Sequence, residues 1–273
     1  MPQTRFPARL HVVLAAKVRT GVVWRRGPSR QVASILWDLR TDEFTLGQWF
    51  KGRIYERRSD LSPDGRHLIY FAADGQWQSE TGGSWTAISQ APYLKAVVLL
   101  GKGDRWHGGG LFTGLRRYWL NDGYGHRPLR VSNEVRRDED YRPTGSYGGE
   151  CPHVYYNRLQ RDGWVLREAT GRSAPDVFER PLNHGWSLRK YAYAGPPAPG
   201  RGCYWDEHWL VAPDGEETDN LPACEWADVD GDDIVYAAEG GLYRTPLRST
   251  GPGPSRLLHD FTPMTFERAT APY

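Results

Sequence analysis

The sequence predicts an all-β protein that forms a single closed β-propeller over residues 1–273, with five blades or, as the alternative, six shorter ones. Composition is the first reason: 31 Gly, 20 Pro, 12 Trp and 15 Tyr against 2 Met favour turns and aromatic-rich strands over long helices. A repeat is the second, because an Asp-Gly turn followed by an apolar strand occurs at Asp64 and again at Asp230. The offset of 166 residues is about four propeller blades of about 42 residues each.

The first 50 residues read as one complete four-stranded blade. Gly-Pro and Thr-Asp turns separate four β-like runs, at 11–16, 21–25, 32–40 and 43–50.

The rest of the chain divides into four further blades on the same criteria. The second blade covers about 58–92, and its predicted strands are 68–73, 75–78 and 84–89. A third begins with the apolar run 94–100 and continues through a glycine-rich stretch to about residue 130. The fourth and fifth have predicted strands at 153–160, 164–169, 177–180 and 187–193, and at 208–212, 234–238, 242–245 and 256–261.

Residues 61–70, L-S-P-D-G-R-H-L-I-Y, carry a recognisable turn signature. The segment resembles the WD-like propeller repeats with an S-P-D-G turn, which occur in Tol-system propellers and in the propeller domains of prolyl-oligopeptidase-type enzymes. The second copy keeps Asp230-Gly231 and the strand but has Asp228-Val229 in place of Ser-Pro. The resemblance covers about a quarter of the chain. It implies a fold and no particular activity, because propellers host many unrelated functions.

Charge and cysteine content exclude several classes of protein. The chain has 35 basic and 33 acidic residues, which argues against a dedicated nucleic-acid binder. Cys151, Cys203 and Cys224 are odd in number and include no C-x-x-C pair, so we expect neither a disulfide framework nor a zinc site. The longest uncharged apolar run, 96–100, is too short to cross a membrane, and we expect a cytoplasmic protein.

Three motifs resemble catalytic or metal-binding sequences without completing them. The glycine-rich stretch 101–110 lacks the Gly-Lys-Ser/Thr ending of a P-loop. Its H-G-G-G segment, which starts at His107, is similar to a lipase oxyanion-hole motif, but no G-x-S-x-G nucleophile elbow accompanies it. The acidic turn 228–233 does not have the spacing of a twelve-residue calcium loop. We therefore predict no catalytic residue, no metal and no cofactor.

Aromatic and arginine side chains concentrate between positions 105 and 147, and the connection 121–149 is long and irregular. Trp, Tyr and Arg are the side chains that most often anchor interfaces, and long irregular loops are often functional. The sequence therefore predicts a non-catalytic binding module that presents these loops to a protein or peptide partner. The predicted binding residues are Trp106, His107, Arg116, Arg117, Tyr124, His126, Tyr141 and Tyr147.

The alternative is a carbohydrate-active enzyme or lectin with an aromatic-lined pocket at the central channel. Sugar hydrolysis needs two carboxylates that face each other across the substrate, and Asp38, Asp60, Glu150 and Asp206 are the candidates. A concave pocket with convergent polar groups would favour this alternative, whereas a broader face would favour the binding module.

Overall fold

A computed structural model of the chain describes residues 7–28, 30–123, 125–171, 174–196, 202–218 and 221–273. Within these residues the protein is all-β, with five sheets and one α-helix, and none of the sheets closes into a barrel. The chain forms two compact units. The larger unit comprises Val12–Arg158 and Thr265–Tyr273, and the smaller unit comprises Leu159–Met264 and the described residues up to His11.

The first sheet confirms the four strands predicted in the first 50 residues. Its strands are β1 (Arg9–Leu14), β2 (Thr20–Arg26), β3 (Gln31–Asp38) and β4 (Glu43–Lys51), and they are neighbours in chain order. Buried apolar side chains such as Val22 and Trp24 explain why this strongly patterned segment could be recognised from sequence.

The next two sheets contain several short strands. The strands are β5 (Arg53–Ile54), β6 (Asp60–Leu61), β7 (His67–Ala73), β8 (Ser84–Gln90), β9 (Ala96–Gly101), β10 (Gly110–Phe112), β11 (Arg117–Leu120), β12 (Arg127–Arg130) and β13 (Arg136–Arg137). The second sheet has the order β12-β9-β8-β7-β5 with β6 also paired to β7, and the third has the order β10-β11-β13. Residues 102–109, which connect β9 of one sheet to β10 of the other, are rich in glycine.

Two strand predictions in this region are wrong. Residues 75–78 form a turn between β7 and β8 and not a strand. The apolar run 94–100 does not open a new sheet, because β9 pairs directly with β8 and completes the second one.

The S-P-D-G segment forms the turn that the sequence predicts. The Ser62 hydroxyl donates to the Asp64 carboxylate at 2.6 Å and accepts the backbone N–H groups of Arg66 and His67. Gly65 has a φ of +74°, a conformation that glycine adopts without a steric penalty. The turn thereby reverses the chain between β6 and β7, which pair antiparallel.

The predicted strand at 153–160 is a helix, α1 (Glu150–Arg161). The run Val154–Tyr156 favours a strand by intrinsic preference, but nearly all of the helix from Cys151 to Leu159 is buried, and packing overrides that preference. Pro152 lies in the first turn and Gly163, with a φ of +95°, follows the last, which is the usual arrangement at helix ends.

The smaller unit contains the last two sheets. Their strands are β14 (Val165–Glu168), β15 (Asp176–Pro181), β16 (Ser187–Ala194), β17 (Tyr204–Val211), β18 (Glu217–Thr218), β19 (Trp226–Asp230), β20 (Asp233–Ala238), β21 (Gly241–Arg248), β22 (Gly251–Pro252) and β23 (Arg256–Asp260). Strands β14 to β18 form one sheet in chain order, and β19 to β23 form the other. Short 3-10 turns occupy Glu56–Arg58 in the larger unit and Asn183–Gly185 in the smaller.

The second Asp-Gly turn is confirmed, while the assignment of strands around it needs correction. Asp230 pairs with Asp233 across a two-residue connection, and Gly231 has a φ of +63°. The predicted strand at 208–212 belongs to the sheet of β16 and does not open the last sheet. Strand β19, which the sequence did not predict, takes that place.

Candidate functional site

Three loops of the larger unit meet at one end of the second sheet. They are residues 74–83 between β7 and β8, residues 102–109 between β9 and β10, and the described part of 121–126 between β11 and β12. The register explains why they meet: Gly101 at the end of β9 pairs with Trp85 at the start of β8 and with Arg127 at the start of β12. We call these three loops the loop face.

Close backbone contacts hold the loops together. A Cβ atom placed on Gly82 would lie 2.9 Å from the Cα atom of Gly103, so only glycine fits where the first two loops touch. The Gly108 N–H donates to the Asn121 carbonyl at 2.9 Å, and the Arg127 guanidinium donates to the carbonyl of Glu80. The loop face is thus a packed surface with a defined shape.

Two tryptophans project from the loop face into solvent. Trp77 is 52% exposed and Trp106 is 62% exposed. The Trp77 ring lies against the backbone of Gly83, where an added Cβ would be 2.8 Å from the ring, and the Arg105 guanidinium sits 5.4 Å from the ring centroid. The Asp104 carboxylate accepts the N–H of Trp106 at 2.7 Å, which fixes the backbone of the second tryptophan.

A cleft of about 570 Å³ opens in the loop face. Four of its nine described lining residues are glycines: Gly82, Gly101, Gly103 and Gly125. Lys102 also lines it, but the Lys102 side chain is fully buried and its ammonium group lies 2.9 Å from the Asp104 carboxylate. No carboxylate side chain is among the described residues that line the cleft.

His126 lies at the inner edge of the cleft, within a chain of hydrogen bonds. Its Nδ1 is 2.7 Å from Asp122, its Nε2 is 3.0 Å from the Thr86 hydroxyl, and that hydroxyl accepts the Gly109 N–H at 2.9 Å. Because an ionised carboxylate can only accept, the neutral imidazole carries its proton on Nδ1, and its Nε2 accepts from the Thr86 hydroxyl. Arg137 also donates to Asp122, at 2.8 Å.

The electrostatics favour this neutral imidazole beside an ionised carboxylate. Burial lowers the pKa of His126, although Asp122 opposes the shift. Burial would raise the pKa of Asp122, but the hydrogen bonds from His126 and Arg137 outweigh it and hold that pKa below its ordinary value. The order carboxylate, imidazole, hydroxyl matches a hydrolase triad, yet Thr86 is fully buried and cannot reach a substrate. These hydrogen bonds hold the loops of Gly109 and Asp122 against Thr86 of β8.

The structure brings three of the eight predicted binding residues to the loop face: Trp106, His107 and His126. His107 adopts a φ of +57°, its ring packs on Gly123, and its carbonyl accepts a hydrogen bond from Arg58. Tyr124 lies outside the described residues.

The other four predicted residues lie elsewhere in the larger unit. Arg116 and Arg117 are at the far end of the β10–β11 hairpin, where Arg117 pairs with Asp138 at 2.6 Å. Tyr141 packs on Trp119 with ring centroids 6.0 Å apart, and Tyr147 packs on Tyr156 of α1 at 5.1 Å. The prediction grouped these residues by position in sequence, whereas the hairpin separates them in space.

Sequence reasoning missed Trp77, Arg105, Asp122 and Thr86. Trp77 carried a usable signal, because its segment, A-D-G-Q-W-Q-S, is polar and contains no apolar partner that would bury an indole. Nothing in the sequence pairs Thr86 with His126, since that contact depends on the register of β8.

The four candidate carboxylates for sugar hydrolysis are each held by other groups. Arg40 lowers the pKa of Asp38 to about 2 through a charge-assisted hydrogen bond. Asp60 is fully buried and accepts the Phe112 N–H at 2.6 Å, and Glu150 lies 4.0 Å from Arg58. Asp206, in the smaller unit, lies 3.8 Å from Lys190.

The sequence matches no known family, and its likeness to solved structures is distant. No family model matches the chain, and no curated protein matches it. Among solved structures, prolyl oligopeptidase B from Galerina marginata, determined as the apo protein, is similar over 91% of this chain with 10% identity and a TM-score of 0.22. The match covers 33% of that protein, so this chain spans about a third of its length.

Proposed function

We propose that this protein is a non-catalytic binding module whose loop face receives a protein or peptide partner. The observation that carries the proposal is the exposure of two indoles, Trp77 and Trp106, on the loop face, with the Arg105 guanidinium over the Trp77 ring. Trp and Arg are among the residues most enriched at interface hot spots.

The loop face is also pre-organised, which reduces the entropy that binding must overcome. Gly83 supports one side of the Trp77 ring and Arg105 lies over the ring, so this indole has little freedom to lose. The hydrogen bond from the Trp106 backbone N–H to Asp104 fixes the backbone at the second anchor.

Several features favour binding over catalysis at this face. The described lining of the cleft contains no carboxylate that could act as an acid or base. Both nitrogens of His126 are engaged, and the hydroxyl to which it is bonded is buried.

The test is selection of peptides from a random display library on the full-length protein. Selected peptides are then measured by calorimetry against Trp77→Ala, Trp106→Ala and, as a matched control, Val131→Ala. Val131 is an exposed apolar residue of the same unit outside the loop face. We expect each tryptophan substitution to weaken binding by about 10- to 30-fold, the effect of losing a hot-spot anchor, and the control to leave the Kd unchanged.

Peptides that bind both tryptophan variants as tightly as the unaltered protein would show that the partner uses another surface. Selection that yields no peptide, together with sugar binding that depends on Trp77 or Trp106, would replace the proposal by the carbohydrate alternative.

A further inference from the structure

The smaller unit contains a cavity of about 500 Å³ that the loop face does not involve. Strand β17, from Trp205 to Trp209, lines one wall, and the segment 221–225 that leads into β19 lines a second wall together with Arg9. A cavity of this size is within the range that small-molecule ligands occupy.

Strand β17 supplies an aromatic wall with a carboxylate. Trp205, Glu207 and Trp209 alternate along the strand, so their side chains share one face, and all three are half-buried. Tyr193 of β16 stacks parallel to Trp205, with centroids 4.9 Å apart and planes 6° apart, and its hydroxyl donates to Glu207 at 3.0 Å. One tyrosine therefore fixes both the indole and the carboxylate.

The second wall adds a second carboxylate and a guanidinium. Glu225 accepts the backbone N–H of Leu10, and its carboxylate lies 3.5 Å from the Nε of Arg9. The Arg9 side chain is 41% exposed, so its remaining N–H groups can reach a ligand. The cavity thus offers hydrogen-bond acceptors from Glu207 and Glu225 and donors from Arg9.

A buried ionic cluster joins β16, β17 and the segment 221–225. The Lys190 ammonium lies 2.8 Å from His208 Nε2, 3.8 Å from Asp206 and 4.6 Å from the centroid of Trp164. An ammonium group only donates, so His208 accepts at Nε2 and donates from Nδ1 to the Cys224 carbonyl at 3.2 Å. This hydrogen bond connects β17 to Cys224 in the segment 221–225. Burial raises the pKa of the Cys224 thiol to about 12, so the thiol stays neutral.

We propose that this cavity binds a carbohydrate, with a pyranose ring stacked on Trp205 and its hydroxyl groups bonded to Glu207, Glu225 and Arg9. A pyranose has an apolar C–H face that suits an aromatic ring and an edge of hydroxyls that need both donors and acceptors. The two walls present that combination. An organic cation fits less well, because Arg9 and Lys190 offset the carboxylates.

The experiment labels the full-length protein with 5-fluorotryptophan and follows the ¹⁹F resonance of Trp205, assigned by its absence from the spectrum of Trp205→Phe. The probes are the methyl glycosides of glucose, galactose, mannose and N-acetylglucosamine, with maltose, cellobiose and lactose. We expect at least one probe to shift the Trp205 resonance saturably and to leave those of Trp77 and Trp106 unchanged.

Two variants test the contacts. Trp205→Leu, measured by calorimetry because this variant lacks the Trp205 resonance, should weaken binding of that probe by about tenfold or more, as loss of a stacking platform does. Glu207→Gln keeps the shape of the side chain and should weaken it by about three- to tenfold. Trp77→Leu, the matched control on the loop face, should have no effect.

Absence of any shift at Trp205 with all seven sugars at 20 mM would overturn the proposal. A probe that binds Glu207→Gln and Trp205→Leu as tightly as it binds the unaltered protein would also overturn it. So would a shift of the Trp205 resonance that spermidine produces and no sugar produces. These results are independent of the peptide selection, which depends on Trp77 and Trp106.

Discussion

Replacement of Lys190 by methionine should destabilise the smaller unit strongly. Methionine retains most of the apolar length of lysine and its contact with Trp164, so the loss of packing is small. The substitution removes the charge that compensates Asp206, whose side chain has no exposure. It also removes the donor to His208 Nε2. Removing one member of a buried ion pair costs about 3–5 kcal/mol.

Urea denaturation of the full chain measures this loss, with the ¹⁹F signal of Trp205 reporting the smaller unit. A loss of about 4 kcal/mol at an m-value of about 3 kcal/mol/M lowers the midpoint by about 1.3 M. Arg189→Met is the matched control: the neighbouring arginine pairs with Glu179 and Glu217 at a partly exposed site, where an ion pair contributes about 1 kcal/mol or less.

The double variant Lys190→Met with Asp206→Asn removes both charges and should recover part of the stability, because no buried carboxylate is left without its cation. The reasoning is refuted if Lys190→Met shifts the midpoint no more than Arg189→Met does. It is also refuted if the double variant is no more stable than Lys190→Met alone.

Two further predictions concern the loop face. Gly109→Ala should lower the free energy of unfolding, measured by urea denaturation, by about 2–4 kcal/mol, because the new Cβ would overlap the Arg58 carbonyl. Gly75→Ala is the control: Gly75 has a similar positive φ with open space around it, so its substitution should cost only about 1–2 kcal/mol. Burial lowers the pKa of His126 in the folded state, so the unfolded chain binds the proton more readily and the free energy of unfolding falls as the pH drops below about 6.5. His126→Gln should make that fall shallower without removing it, because burial also lowers the pKa of His153. If the free energy of unfolding falls with the same slope against pH in the variant and in the unaltered protein, His126 is not one of the groups responsible.

The turns were the most predictable part of the fold. Asp64-Gly65 and Asp230-Gly231 need a residue that tolerates positive φ, and the apolar runs after them can only be buried strands. The assignment of strands to sheets was less predictable. Whether β9 joins β8 or opens a new sheet depends on hydrogen bonds between distant residues, and no local pattern records that choice.

The helix α1 shows a second limit of sequence reasoning. The run Val154, Tyr155 and Tyr156 consists of β-branched and aromatic residues and favours a strand by intrinsic preference. The less buried residues of the helix recur instead with helical spacing, at Glu150, His153, Gln160 and Arg161. The proline at its start and the glycine after its end are further local indications, and they act on the termini and not on the interior.

The tryptophans show why composition predicts binding poorly. Trp24 is fully buried and meets Tyr70 edge to face at 5.8 Å, so it stabilises the core. Trp77 lies in a turn where its ring contacts the backbone of Gly83 and the Arg105 guanidinium, and about half of the residue stays exposed. Trp205 is stacked on one face by Tyr193 and borders a cavity. The neighbours of each indole decide how far it is buried, and strand register and turn geometry set those neighbours.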